Sequence, residues 1–239
     1  MPYSRAAGLE LPDGLDVPTF DEVSIRMAEL ANPNDSSSPW KRNVHHAFAS
    51  AWNGVAFRFR AAFEYDQEFR RLISLTTSPG GDERFHQETA LYGSVGATLS
   101  CLECFYMAAY AGGSAKGTSS FRLTADADLL KYPRDVASAF LSDYPTHTFT
   151  AVLTGTVDDP ELRALQDLRN ALAHRGILPR KHFLSTIRDT PSAIPSNPRS
   201  IAARIAYDAH LGPDTTAQPL GWVVSVLAPL TRGLRQFLG

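Results

Sequence analysis

Two long stretches of helical periodicity, interrupted once by Pro79-Gly80-Gly81, most constrain what this chain can fold into. Trp40 opens the first. Val44, Phe48, Ala51, Val55, Phe59, Ala62, Phe63, Phe69 and Ile73 follow at spacings of mostly three and four, and Arg58, Arg60, Glu64 and Asp66 fall largely between them. The second runs from about Asp82 to Ala111, with Phe85, Tyr92, Val95, Leu99, Leu102 and Tyr106 on one side. Gly93, Ser94, Gly96 and Ala97 are small enough to admit a neighbouring helix closely. Long helices joined by a short break pack antiparallel. From Thr89 to Ala115 only Glu103 is charged, and that length could span a bilayer. A carboxylate deep in lipid and the lack of a clear positive flank favour a buried central helix, with no membrane partner.

The remaining pattern extends this into an all-α, up-and-down bundle of four main helices. A shorter helix is expected over Tyr132–Tyr144, a well-signalled one over Pro160–Arg175 and a last one near Leu220–Leu238, with Pro219 suited to its start and Pro229 to a kink. Residues 179–219 hold six prolines and read as a decorated loop region before the last helix, with a strand at Ile201–Tyr207. Residues 1–39 read as an N-terminal extension with a short helix near Phe20–Leu30 and a Pro/Asn/Ser linker, and residues 40–239 as the helical domain. Phe48, Phe59, Leu99, Leu102, Leu168, Leu172 and Trp222 are the expected core.

Composition narrows the function classes. At 239 residues and 44% hydrophobic the chain can bury a sizeable core. A net charge of −2 and a pI of about 6.4 argue against a bulk nucleic-acid coat or a polybasic membrane binder, while leaving room for a local basic site. Met1-Pro2-Tyr3-Ser4-Arg5 lacks the apolar core of a signal peptide. Cys101 and Cys104 sit at Cys-x2-Cys spacing with no second pair, so a four-thiolate zinc site cannot form within one chain. Buried reduced thiols in a cytoplasmic protein are the expectation. His45, His46, His86, His147, His182 and His210 show no metal-ligand spacing, and no metal or cofactor is expected. Gly112 to Ser120 lacks P-loop spacing and reads as an interhelical loop.

The run Asp167-Leu168-Arg169-Asn170-Ala171-Leu172-Ala173-His174-Arg175-Gly176 carries the chemistry. Asp158-Asp159-Pro160-Glu161 marks the start of its helix. Leu162, Leu165, Leu168 and Leu172 form the apolar stripe, and Gly176 and Pro179 supply the stop. Asn170 and His174 lie one turn apart and share a face, with Arg169 beside it. The helix C-terminus favours a protonated histidine. Arg163, Arg175, Arg180 and Lys181 make the neighbourhood basic, as suits a phosphate backbone or simply a solvated helix end.

This run resembles the Arg-polar-x3-His signature of the HEPN superfamily of helical-bundle proteins. The resemblance implies a metal-independent endoribonuclease. A ribose 2′-hydroxyl would attack the adjacent phosphate, His174 would move the proton, Arg169 would pair with the phosphate and Asn170 would orient the groups. It also implies a homodimer with two motifs facing one cleft, RNA as the substrate, and a toxin or defence setting with an antitoxin-type protein partner. Many such proteins are catalytically silent, so a nucleotide-binding or protein-interaction module is the alternative. Glu103, a single acid on an apolar helix, is expected to hold Arg169 in place.

Overall fold

A computed structural model describes residues 3–6, 8–35, 38–75, 80–174 and 212–239. Over these the protein is predominantly helical. A short antiparallel hairpin, β1 (Tyr3–Ala6) with β2 (Leu9–Pro12), precedes seven α-helices among the described residues: α1 (Val17–Leu30), α2 (Pro39–Leu75), α3 (Gly81–Ala115), α4 (Pro133–Asp143), α5 (Thr148–Asp158), α6 (Pro160–His174) and α7 (Asp214–Leu238). The chain divides into two compact units. The first comprises Met1–Arg60, Ser100–Asp159 and Trp222–Gly239, and the second Ala61–Leu99 and Pro160–Gly221.

The first unit is built on stacked aromatic rings. Asp16 caps α1, accepting from the Thr19 amide at 3.2 Å and from its hydroxyl at 2.7 Å, and so aims Phe20 inward. Phe20 stacks on Trp52 of α2 at 4.3 Å between ring centroids, and the Trp52 indole N–H donates to the Phe20 carbonyl at 3.2 Å. Phe105 of α3 lies 5.9 Å from Trp52 and 6.4 Å from Phe149 of α5. Phe140 of α4 then meets Phe149 at 5.1 Å, Phe237 of α7 at 5.0 Å and Phe121 at 4.8 Å. The Tyr106 hydroxyl, buried by this cluster, donates to the Leu153 carbonyl at 3.1 Å. Segment 1–39 therefore contributes core residues, with Leu11, Phe20, Val23 and Met27 all buried.

In each unit α2 and α3 run antiparallel, because rising numbers on one meet falling numbers on the other. In the first unit Cys101 donates to the Val55 carbonyl at 3.5 Å, and a Cβ on Gly54 would fall 2.8 Å from the Cys104 sulfur. In the second, the Gln87 amide donates to the Leu72 carbonyl at 3.1 Å, and a Cβ on Gly93 would strike the Tyr65 ring at 2.7 Å. A side chain at either position would have to displace the Cys104 sulfur or the Tyr65 ring. The second unit also buries the Asp66 carboxylate, which accepts from the Thr216 hydroxyl at 2.7 Å and pairs with Arg70 at 3.1 Å.

Several expectations change. The hairpin places strand at the N-terminus, whereas the expected strand at Ile201–Tyr207 lies outside the described residues. α5 was not foreseen, because its threonines and valines are weak helix formers in isolation. It forms because His147 Nδ1 caps the Phe149 amide at 3.0 Å and Phe149 and Leu153 are buried, while Thr154 and Thr156 satisfy their hydroxyls on carbonyls four residues earlier. Gly112–Ala115 belong to α3 and not to a loop: a Cβ on Gly113 would sit 2.5 Å from Phe121, so the small residue lets that ring cover the helix end. α7 begins at Asp214, six residues before the expected start. Gly212 and Thr215 cap it reciprocally, and the buried Thr216–Asp66 bond offsets the cost of an internal Pro219. Phe48, Phe59, Leu99 and Leu102 are buried as expected, while Leu168, Leu172 and Trp222 are only half-buried. Among the described residues no helix is long and apolar enough to cross a membrane.

Two stability predictions follow from this packing. Trp52→Ala should cost about 3–5 kcal/mol in urea unfolding, through the cavity it opens and the lost bond to Phe20. Thr216→Val should cost about 1–3 kcal/mol, because it keeps the volume but removes a donor from a buried carboxylate. An unchanged urea midpoint in either variant would contradict the packing described.

Candidate functional site

The helix that carries the motif is set by its first turn and its buried face. Pro160 and Glu161 open α6, where a missing N–H and an acid both suit a helix N-terminus. The preceding Asp159 has extended backbone, and its carboxylate accepts from the Trp222 indole at 3.0 Å. Asp158 is the last residue of α5. Leu162, Leu165 and Ala171 are buried, so the inward face follows the expected stripe only through its first two leucines.

Arg169 is half-buried and already engaged within the chain, whereas Asn170 and Arg163 are exposed. His174 is the last residue of the helix, one turn beyond Asn170. The geometry of its side chain, and Arg175, Arg180 and Lys181, lie outside the described residues. Glu103 is half-buried on α3 in the first unit, while Arg169 belongs to the second. Among the described residues no three His, Cys, Asp or Glu side chains come together as a metal site.

The first unit contains a feature that sequence reading missed. A cleft of about 960 Å³ lies between the α2 face Asn43, His46, Ala47, Ser50, Gly54 and Arg58 and the α3 face Ser100, Glu103, Cys104 and Met107. Its third wall is the segment from Leu123 to Tyr132. The signal was present in the three-and-four spacing of small and polar residues on α2, but only the fold reveals that α3 and this segment leave the stripe uncovered. Cys101 is buried behind the wall, whereas Cys104 is half-buried and lines the cleft. Burial pushes the Cys104 thiol above its ordinary range; nearby Arg58 opposes that shift and Glu103 adds to it.

Carboxylates order the third wall and the turn that leads into it. Asp128 accepts from the Thr124 and Ala125 amides at 2.9 and 3.1 Å and pairs with Lys131 at 3.5 Å. Asp143 accepts from the Ser120 hydroxyl at 2.6 Å and from its amide at 3.2 Å. The Tyr110 hydroxyl accepts from the Arg122 amide at 2.9 Å. These bonds hold Phe121 against Phe140 and leave Leu129, Leu130 and Tyr132 exposed at the rim. Compared with models of known families, with curated proteins and with solved structures, the chain matches none.

The wall should be acid-labile. The Ser120 hydroxyl holds the Asp143 carboxyl below its ordinary value of 3.8. The Thr124 and Ala125 amides do the same for Asp128. A depressed carboxylate contributes stability that is complete above its unfolded value and is lost as pH falls through the folded one. Between about pH 5 and pH 2 the wild type should therefore lose urea stability more steeply than Asp143→Asn. Parallel pH profiles for the two proteins would refute this role for Asp143.

Proposed function

We propose that this chain is a HEPN-like, metal-independent endoribonuclease acting as a homodimer in a toxin or defence setting. The observation that carries the reading is the placement of Arg169, Asn170 and His174 in the last two turns of one continuous helix, with Asn170 exposed one turn before His174. A predominantly helical chain with its motif on a helix end suits the resemblance, and an engaged, half-buried Arg169 suits a guanidinium that is held in position.

In this mechanism His174 accepts the proton of a ribose 2′-hydroxyl as its oxygen attacks the adjacent phosphorus. The bond from phosphorus to the 5′-oxygen breaks, a 2′,3′-cyclic phosphate forms, and a second histidine returns a proton to the leaving oxygen. That second histidine is His174 of the other copy, which is why a motif with one Arg and one His calls for a symmetric dimer. Arg169 pairs through two hydrogen bonds with the phosphate as charge builds, and Asn170 orients it.

Purified protein on a mixed RNA pool tests the proposal. His174→Ala should abolish cleavage while circular dichroism stays unchanged. Arg169→Ala should lose roughly 100- to 1,000-fold, the cost of one removed transition-state donor, and Asn170→Ala should lose less. EDTA should leave the rate unaltered. Cleavage that survives in His174→Ala rejects the mechanism, and an inactive wild type rejects the nuclease in favour of a silent binding module.

A further inference from the structure

We infer that the cleft between α2, α3 and the Leu123–Tyr132 segment binds an elongated, mainly apolar molecule ending in an anionic group, carboxylate or phosphate, which docks on Arg58.

Three observations converge on that ligand. The first is size. At about 960 Å³ the cleft lies at the upper end of small-ligand sites. Its α2 wall from Asn43 to Arg58 rises roughly 22 Å at 1.5 Å per residue, which suits a long molecule better than a compact one.

The second is the character of the walls. Ala47, Ala51, Gly54, Met107, Leu123 and Leu129 give the cleft an apolar stripe, flanked by the polar Asn43, Ser50, Ser100 and Thr124. Gly54 cannot be enlarged without moving Cys104, so the depth of the channel is built into the helix pair. Leu129 and Leu130 are 50% and 76% exposed at the rim, where an apolar ligand would cover them.

The third is charge. Arg58, Lys131 and His46 line the cleft against a single carboxylate, Glu103. Lys131 is occupied by Asp128, and Glu103 is already engaged within the chain. Arg58 acts electrostatically on the Cys104 thiol, yet among the described residues it has no ion pair or hydrogen bond. A guanidinium presents a fork of donors that matches carboxylate or phosphate oxygens. Placed at the end of an apolar channel, it selects an anion with a long apolar body.

Calorimetry on the full chain provides the test, with laurate, dodecyl phosphate and the neutral dodecanol as probes, each below its aggregation concentration. Laurate or dodecyl phosphate should bind at one per chain, and the tighter of the two identifies the head group. Arg58→Gln, an exposed substitution that leaves the core intact, should weaken the anion by about tenfold, the value of one lost charged hydrogen bond. Ser50→Trp, also exposed, should fill the channel and abolish binding.

Cys104 locates the site independently. Mass spectrometry should show iodoacetamide modifying Cys104 and sparing buried Cys101, with the bound anion slowing that reaction. Absence of binding by both anions, dodecanol binding as tightly as they do, or binding unchanged in either variant would overturn the inference. So would binding that leaves Cys104 alkylation unaltered.

Discussion

The stacking of Trp52 on Phe20, sealed by the indole bond to the Phe20 carbonyl, is the contact on which the rest of the first unit depends. It joins α1 to α2 and supplies the flat surface that Phe48 and Phe105 pack against. From Phe105 the rings continue through Phe149, Phe140, Phe237 and Phe121, so α3, α4, α5, α7 and the wall segment are located by one contiguous set of aromatic contacts. Each such pair adds about 0.5–1.5 kcal/mol beyond the area it buries. The set also gives directionality, since tilted and edge-on rings admit few alternative packings.

The cleft arises where that aromatic packing gives way to small residues. One face of α2 holds Trp52, Val55 and Phe59, all buried, while the neighbouring face holds Ser50, Gly54 and Arg58. On α3, Phe105 and Tyr106 belong to the packed side, and Ser100, Cys104 and Met107 to the open one. A helix pair that is large on one side and small on the other has a solid core and a channel side by side. Asp128 braces the wall segment internally by accepting from the Thr124 and Ala125 amides, and Asp143 fixes Ser120 just before it.

The two proposed activities rest on different residues in different units. The motif residues lie on α6 in the second unit and the cleft lies wholly in the first, so evidence for one is not evidence for the other. Arg58 and Arg169 illustrate the contrast. Arg169 is half-buried and engaged, as a guanidinium held for a fixed task would be. Arg58 is exposed and unpaired among the described residues, as a guanidinium awaiting an anion would be.

Periodicity alone determined the helical class, the two long helices with a break between Leu75 and Gly81, and the motif helix from Pro160, because apolar spacing and local stop signals are properties of neighbouring residues. It determined the place of Arg169, Asn170 and His174 on one helix for the same reason. The existence of α5, the early start of α7 and the helical state of Gly112–Ala115 were decided by tertiary structure. Each depends on a packing partner that periodicity does not reveal: Tyr106 and Phe105 for α5, Asp66 for α7 and, only eight residues on, Phe121 for the end of α3. The cleft belongs to the same group. Small residues recurring on α2 are visible in the sequence, but whether a stripe of that kind is filled or left open is settled only by what the rest of the chain lays against it.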